Sequence, residues 1–155
     1  MRILTVCMGN ICRSPTAEAA LREALREAGL GDRVAVDSVG TGSWHVGEAP
    51  DPRMTAAAAD VGLELSGMAR RLVRDDIADA DLVLVMDRRN LRDVRALADP
   101  ADHGKIALFR SYDPAADADE VPDPYYEGPD GFTQVVAMSR AAARGVVAAL
   151  QAPAS

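Results

Sequence analysis

Residues 2–6 read RILTV, an apolar, β-rich run, and the nine residues that follow, CMGNICRSP, carry turn-formers and end in a helix-start signal. The pattern predicts strand, loop and helix in that order. Ser14 suits an N-cap and Pro15 the first helical position. Ala17, Ala20, Leu21, Ala24, Leu25 and Ala28 then share one helical face before Gly29 closes it.

The alternation continues along the chain. A second β-like run at 34–39 (VAVDSV) leads through a glycine-bearing loop to Asp51-Pro52, which opens a helix ending near Gly62. Residues 81–86 (DLVLVM) form the most continuous apolar run, as in a strand buried on both faces, and Asp87 caps a helix through about Leu97. Residues 105–109 (KIALF) supply a fourth strand. A loop rich in Pro, Asp and Tyr follows, and an apolar-periodic helix runs from about Gly131 to Leu150. Strands and helices alternating at these intervals imply βαβ units: an α/β fold with a single four-stranded parallel sheet and helices on both faces. In such sheets ligands bind at the carboxyl ends of strands, and the loop after the first strand lies there.

The chain has 155 residues, 48% of them hydrophobic, enough for one core, and no linker or repeat divides it. One domain over 1–155 is expected, with about 151–155 as a short flexible tail. The N-terminus enters a strand at once and no apolar stretch has membrane-spanning length, so a cytoplasmic protein without membrane attachment is expected. A net charge of -7 argues against nucleic acid as a partner. The two cysteines, Cys7 and Cys12, are too few for a disulfide scaffold and lack the companions of a zinc site. His45 and His103 sit in no ligand-spaced cluster and read as surface residues, so neither metal nor cofactor is assigned.

The chemistry therefore falls on the 7–14 loop. Gly9 permits close backbone approach and Asn10 tolerates the left-handed conformation, so N–H groups from Met8 through Cys12, with Ile11 between, can face one concavity. The helix behind adds its positive pole, which matches a dianionic phosphoryl group and favours the Cys7 thiolate as a nucleophile. Arg13 can fold back and grip two phosphoryl oxygens through its planar fork. Ser14 can donate its hydroxyl to the Cys7 sulfur and help it leave a covalent phosphocysteine. Asp123 precedes Pro124 and reads equally as a turn-former or as an acid on a loop.

Residues 6–15 (VCMGNICRSP) resemble the signature of the low-molecular-weight protein tyrosine phosphatases. Ser38, the loop at 42–47 (GSWHVG), Met86-Asp87, residues 111–114 (SYDP) and 123–126 (DPYY) follow in that family's order. The resemblance implies a flavodoxin-like sheet of strand order 2-1-3-4. It makes Asp123 the general acid and base, and sets Trp44 and Tyr125 at the pocket mouth against a phosphotyrosyl ring, with Tyr126 a further candidate. Asn10 resembles the residue that shapes the loop by bonding Ser14, Ser38 and a histidine, but Gly67 stands where many members carry that histidine, so part of this support is expected from elsewhere. Cys12 is a packing residue, a weak hydrogen-bond donor, or, as the resemblance implies, a redox partner of Cys7.

The expected substrates are phosphotyrosine-containing proteins and small aryl phosphates, the product inorganic phosphate, and the working species a monomer or a weakly self-associating chain. Three other readings share the fold. An arsenate reductase needs cysteines outside the loop, and the chain has none. A protein-arginine phosphatase typically carries Thr where Ile11 stands. A silent phosphoprotein-binding module would need neither a nucleophile nor a distant acid.

Overall fold

A computed structural model describes residues 1–126, 128 and 130–152, with the side chain of Tyr126 outside the description; the expected roles of Tyr126 and of the tail beyond Ala152 therefore lie outside the described residues. Four strands, β1 (Arg2–Cys7), β2 (Ala35–Gly40), β3 (Leu82–Val85) and β4 (Ile106–Leu108), form one parallel sheet in the order β2-β1-β3-β4. This is the expected four-stranded order. The helices are α1 (Arg13–Glu27), α2 (Pro52–Ala59), α3 (Arg74–Asp79), α4 (Arg88–Leu97) and α5 (Gly131–Gln151).

The period of two along each strand decides which helices cover which face. Ile3 and Leu84 point into a core completed by Leu21, Leu25, Val135 and Val146 of α1 and α5. Leu4, Val6, Val83 and Val85 point the other way, against Ile77 of α3 and Val94 of α4. Both faces are buried, so the strands read as continuous apolar runs rather than as an alternation. Among the described residues no helix is long and apolar enough to cross a membrane.

Helix α1 begins at Arg13, earlier than a Ser14 cap and a Pro15 start would allow, and its N-cap is Cys12 with no side-chain cap bond. The reason is local competition: the Ser14 hydroxyl is spent on Cys7 and Asn10, so it is not free to cap the helix. The other end behaves as the sequence indicates. Leu30 N–H donates to the Leu25 carbonyl and Gly29 N–H to the Arg26 carbonyl, the double closure that a residue at positive φ permits (Gly29 φ 75). Asp51 and Asp87 cap α2 and α4 as expected, each accepting backbone N–H groups of the first turn. Helix α3 and the 3-10 turn Pro100–Lys105 have no counterpart in the sequence reading; each spans only six residues, too few to display a 3.6-residue period.

Candidate active site

The 7–14 loop leaves the carboxyl end of the central strand β1 and returns as α1, so its floor is fixed by a buried strand and a largely buried helix. Its turn is made by Asn10, a non-glycine residue at positive φ (57°). The neighbouring strand leaves room for it. A Cβ on Gly40 would stand 2.7 Å from the Met8 carbonyl and 3.0 Å from Asn10 Cβ, so the end of β2 accommodates the loop only because position 40 has no side chain.

Asn10 organises the loop from within. Its backbone N–H donates to Cys7 Sγ (3.2 Å), and its side-chain amide donates to Ser14 Oγ (2.8 Å) and Ser38 Oγ (3.0 Å). Its Oδ1 accepts the backbone N–H of Arg70 (2.9 Å). The support expected from a histidine is thus supplied in part by the Arg70 main chain, and Gly67 itself, with open space around its Cα, touches nothing that would replace it. Asn10 is 3% exposed, and a buried amide with every one of these partners lost would cost about 1–3 kcal/mol for each group left unpaired.

The same bonds limit where the Ser14 proton can point. Ser14 Oγ receives Asn10 Nδ2 on a lone pair, so its own hydrogen can serve Cys7 Sγ, 3.0 Å away, or the more distant Val39 carbonyl (3.5 Å). Cys7 Sγ thus accepts the Asn10 N–H and lies within hydrogen-bond distance of the Ser14 hydroxyl. Among the described residues no protein acceptor meets the N–H groups of Gly9, Ile11 and Cys12, so they are left free to take an anion.

Arg13 is buried, with 4% of its surface exposed, and Nη1 is held by the Asp87 carboxylate (2.7 Å) and by the Val121 carbonyl (3.0 Å). Burial disfavours its charge, but the Cys7 sulfur and Asp87 outweigh burial and hold the guanidinium more firmly protonated than in water. Asp87 also caps α4, so the helix that ends the β3 crossover anchors the guanidinium.

One cavity of about 120 Å³ brings together Cys7, Met8, Gly9, Ile11, Cys12, Arg13, Trp44, Asp123 and Tyr125. Asn10, Ser14 and Ser38 lie behind this surface as support. Asp123 Oδ1 accepts the backbone N–H of Tyr125 (3.0 Å), and Oδ2 has no such bond among the described residues. Trp44 is 74% exposed at the rim. Tyr125 is less free than a stacking role alone suggests: its hydroxyl donates to Asp51 Oδ2 (2.6 Å), and the Arg53 guanidinium lies 4.8 Å from the centroids of both Tyr125 and Phe132. Burial and the bond to Asp51 both raise the Tyr125 hydroxyl above its ordinary value. Asp51 responds in the opposite sense, since hydrogen bonds from Tyr125 and Arg53 overcome its burial and hold it below the usual carboxylate range.

Cys12, which lines the same cavity, is not a second thiolate. Burial pushes its thiol up to about 12, and the nearby Asp51 and Cys7 charges add to this. Both cysteines are free and buried.

One pocket residue was not anticipated. His45, read as a surface residue, lines the cavity, with its ring against Gly9, whose added Cβ would stand 3.1 Å from His45 Cδ2, and with Nδ1 paired to Glu48. The signal in the sequence was the i,i+3 spacing of His45 and Glu48 directly after Trp44; no cluster with other ligand-type residues exists to mark it.

A family model described as low molecular weight phosphotyrosine protein phosphatase matches residues 2–155. A relative from Streptomyces coelicolor, called a low molecular weight protein-tyrosine-phosphatase, is 48% identical over 153 residues, covering 97% of this chain and 93% of its own. The low molecular weight phosphotyrosine protein phosphatase of Sus scrofa is 37% identical over 86% of this chain and 85% of its own. Among solved structures, a protein tyrosine phosphatase from Entamoeba histolytica with Hepes in the active site superposes with a TM-score of 0.94 at 32% identity, covering 97% of each chain.

Proposed function

The chain belongs to the low-molecular-weight phosphotyrosine protein phosphatase family, and from that we propose how Cys7, Arg13, Ser14 and Asp123 divide the hydrolysis of a phosphotyrosyl ester among them. The protein is a protein-tyrosine phosphatase, acting on phosphotyrosine in proteins through a cysteine nucleophile. The observation that carries the division of labour is the pair of donors on Cys7 Sγ, Asn10 N–H and Ser14 O–H, with the charged Arg13 fork in the same cavity.

The phosphoryl group enters with its non-bridging oxygens on the loop N–H groups and on Arg13, whose planar donors match two of them. The Cys7 thiolate attacks phosphorus in line with the tyrosyl oxygen; the S–P bond forms as the P–O bond breaks. Asp123 passes its proton from Oδ2 to the departing phenolate oxygen, so tyrosine leaves neutral. The same carboxylate, now ionised, takes a proton from water as that water attacks the phosphocysteine. Inorganic phosphate departs, and Cys7 returns to a thiolate stabilised by Ser14. Trp44, His45 and Tyr125 wall the entrance, where an aryl ring fits better than a short aliphatic phosphate. Every participating residue comes from one chain, so a monomer suffices.

Asp123→Ala tests the acid. With p-nitrophenyl phosphate, or better with a phosphotyrosyl peptide, kcat should fall by ~10² or more, about 2.7 kcal/mol in the barrier. The loss should shrink as the leaving phenol is made more acidic, because a good leaving group needs no proton. A loss independent of the leaving group would assign Asp123 a structural role instead.

Cys12 serves as the resolving partner of Cys7. Peroxide transfers one oxygen to the Cys7 thiolate, giving a sulfenic acid and hydroxide; the Cys12 sulfur then displaces the sulfenic oxygen, which leaves as water with the Cys12 proton, forming the Cys7–Cys12 disulfide. Dithiothreitol should therefore restore peroxide-treated enzyme, and Cys12→Ala should lose activity irreversibly under the same treatment. Equal recovery of both proteins would exclude Cys12.

A further inference from the structure

A groove of about 630 Å³ lies outside the catalytic pocket, between α4 and the 71–74 segment. Its floor is apolar: Leu72 is buried, while Val73 and Leu97 leave 52% and 39% of their surface exposed. Its walls are charged, with Arg71 and Arg74 on one side and Asp93 of α4 on the other. Arg74 reaches Asp99 only at 3.6 Å, and among the described residues Arg71 takes part in no ion pair.

The sign of the charge here departs from that of the molecule. The chain carries a net -7, yet α4 presents Arg88, Arg89, Arg92 and Arg95 against the single carboxylate of Asp93. Arg88 is engaged by Asp119 and Glu120; of the exposed arginines Arg89 lies one turn before Asp93 on the groove flank, while Arg92 and Arg95 turn to other flanks of the helix.

The groove is continuous with the catalytic loop. Thr41 forms part of its wall, and Thr41 N–H donates to the Cys7 carbonyl (2.9 Å), as Gly42 N–H does to the Met8 carbonyl (2.9 Å). Three residues on, Trp44 and His45 line the catalytic pocket. The 41–45 segment is therefore a shared wall, with the phosphate pocket on one side and a basic, apolar-floored groove on the other.

We propose that this groove docks an acidic stretch of the phosphoprotein substrate, with an apolar side chain seated on Val73 and Leu97 and carboxylates facing Arg71 and Arg74. The proposal rests on the phosphatase reading, since it supplies a second recognition site for the same substrate. Charge complementarity selects the occupant: a second copy of this acidic chain would be repelled over most of its surface, and a concave floor suits an extended peptide, not the plane of a bilayer.

The test compares three substrates on the intact protein: p-nitrophenyl phosphate, a phosphotyrosyl peptide with neutral flanks, and the same peptide carrying Glu and Leu nearby. The wild type should favour the acidic peptide, and raising the salt concentration should erase that preference. In the double variant Arg71→Glu, Arg74→Glu, kcat/KM for the acidic peptide should fall about tenfold, with the other two substrates unchanged. A peptide with Lys in place of Glu should become the preferred substrate of the variant, a reversal that loss of folding cannot produce. Equal change on all three substrates, or no change on any, would overturn the groove as a docking site while leaving the phosphatase reading intact. No hydrolysis of any substrate by the wild type would instead overturn the phosphatase reading. Retained peptide preference with loss of phosphatidylserine-vesicle binding, or with loss of self-association in sedimentation, would reassign the surface and equally overturn the proposal.

Discussion

Cys7→Ser is expected to reduce hydrolysis of p-nitrophenyl phosphate and of phosphotyrosyl peptides to background, a loss of at least ~10⁴-fold. The substitution is nearly isosteric, and the site, 3% exposed, tolerates it without a cavity. What changes is ionisation. The nucleophile of the proposed mechanism is a sulfur flanked by the Asn10 N–H and the Ser14 hydroxyl, whereas an alcohol is intrinsically far harder to ionise and attacks phosphorus poorly. Phosphate should still bind, because Arg13 and the loop N–H groups are untouched. Circular dichroism and thermal unfolding should match the wild type, and product inhibition by phosphate should persist in binding measurements. Measurable turnover by Cys7→Ser would remove the nucleophile from the mechanism.

Arg13→Ala is expected to lower kcat/KM by about 10³-fold, or about 4 kcal/mol. The guanidinium is one of few cations in the cavity, it is already oriented by Asp87 and the Val121 carbonyl, and it meets charge on the phosphoryl oxygens that is shared most evenly when phosphorus is in flight between sulfur and oxygen. Removing it also strands the half-buried Asp87 carboxylate, so some stability is lost, about 1–3 kcal/mol. Arg13→Lys separates the two effects. It keeps a charge beside Asp87 and should recover much of the stability, but a point charge cannot hold two oxygens at fixed angles, so kcat should stay low. A Lys variant with near-normal kcat would show that charge alone is required.

The strands and the loop were legible because their signals are local and strong. A buried β1 has no need to alternate, a glycine and an asparagine mark the turn, and the Cys7–Arg13 spacing is set by a single helix start. What escaped the sequence depended on contacts between distant segments. The start of α1 shifts because the Ser14 hydroxyl is drawn to Cys7 and Asn10, a choice invisible until β1 and α1 are folded together. The Arg70 N–H that supports Asn10 comes from a loop 60 residues away, in an otherwise unremarkable run of two arginines. His45 stood within the 42–47 loop but was given no role of its own; its place in the pocket follows from how the 41–47 segment folds over Gly9. Tyr125 was expected at the mouth, but its tie to Asp51 and Arg53, which holds the Asp123 loop against the cap of α2, needed the tertiary structure.

The covalent step is the claim on which the rest depends. Wild-type enzyme mixed with a phosphotyrosyl peptide and quenched in acid within the first turnover should gain the mass of one phosphoryl group, located by fragmentation on Cys7 and absent from Cys12. A phosphoryl group on any other residue, or release of phosphate with no adduct when the first-turnover burst of phenol is plainly present, would contradict it.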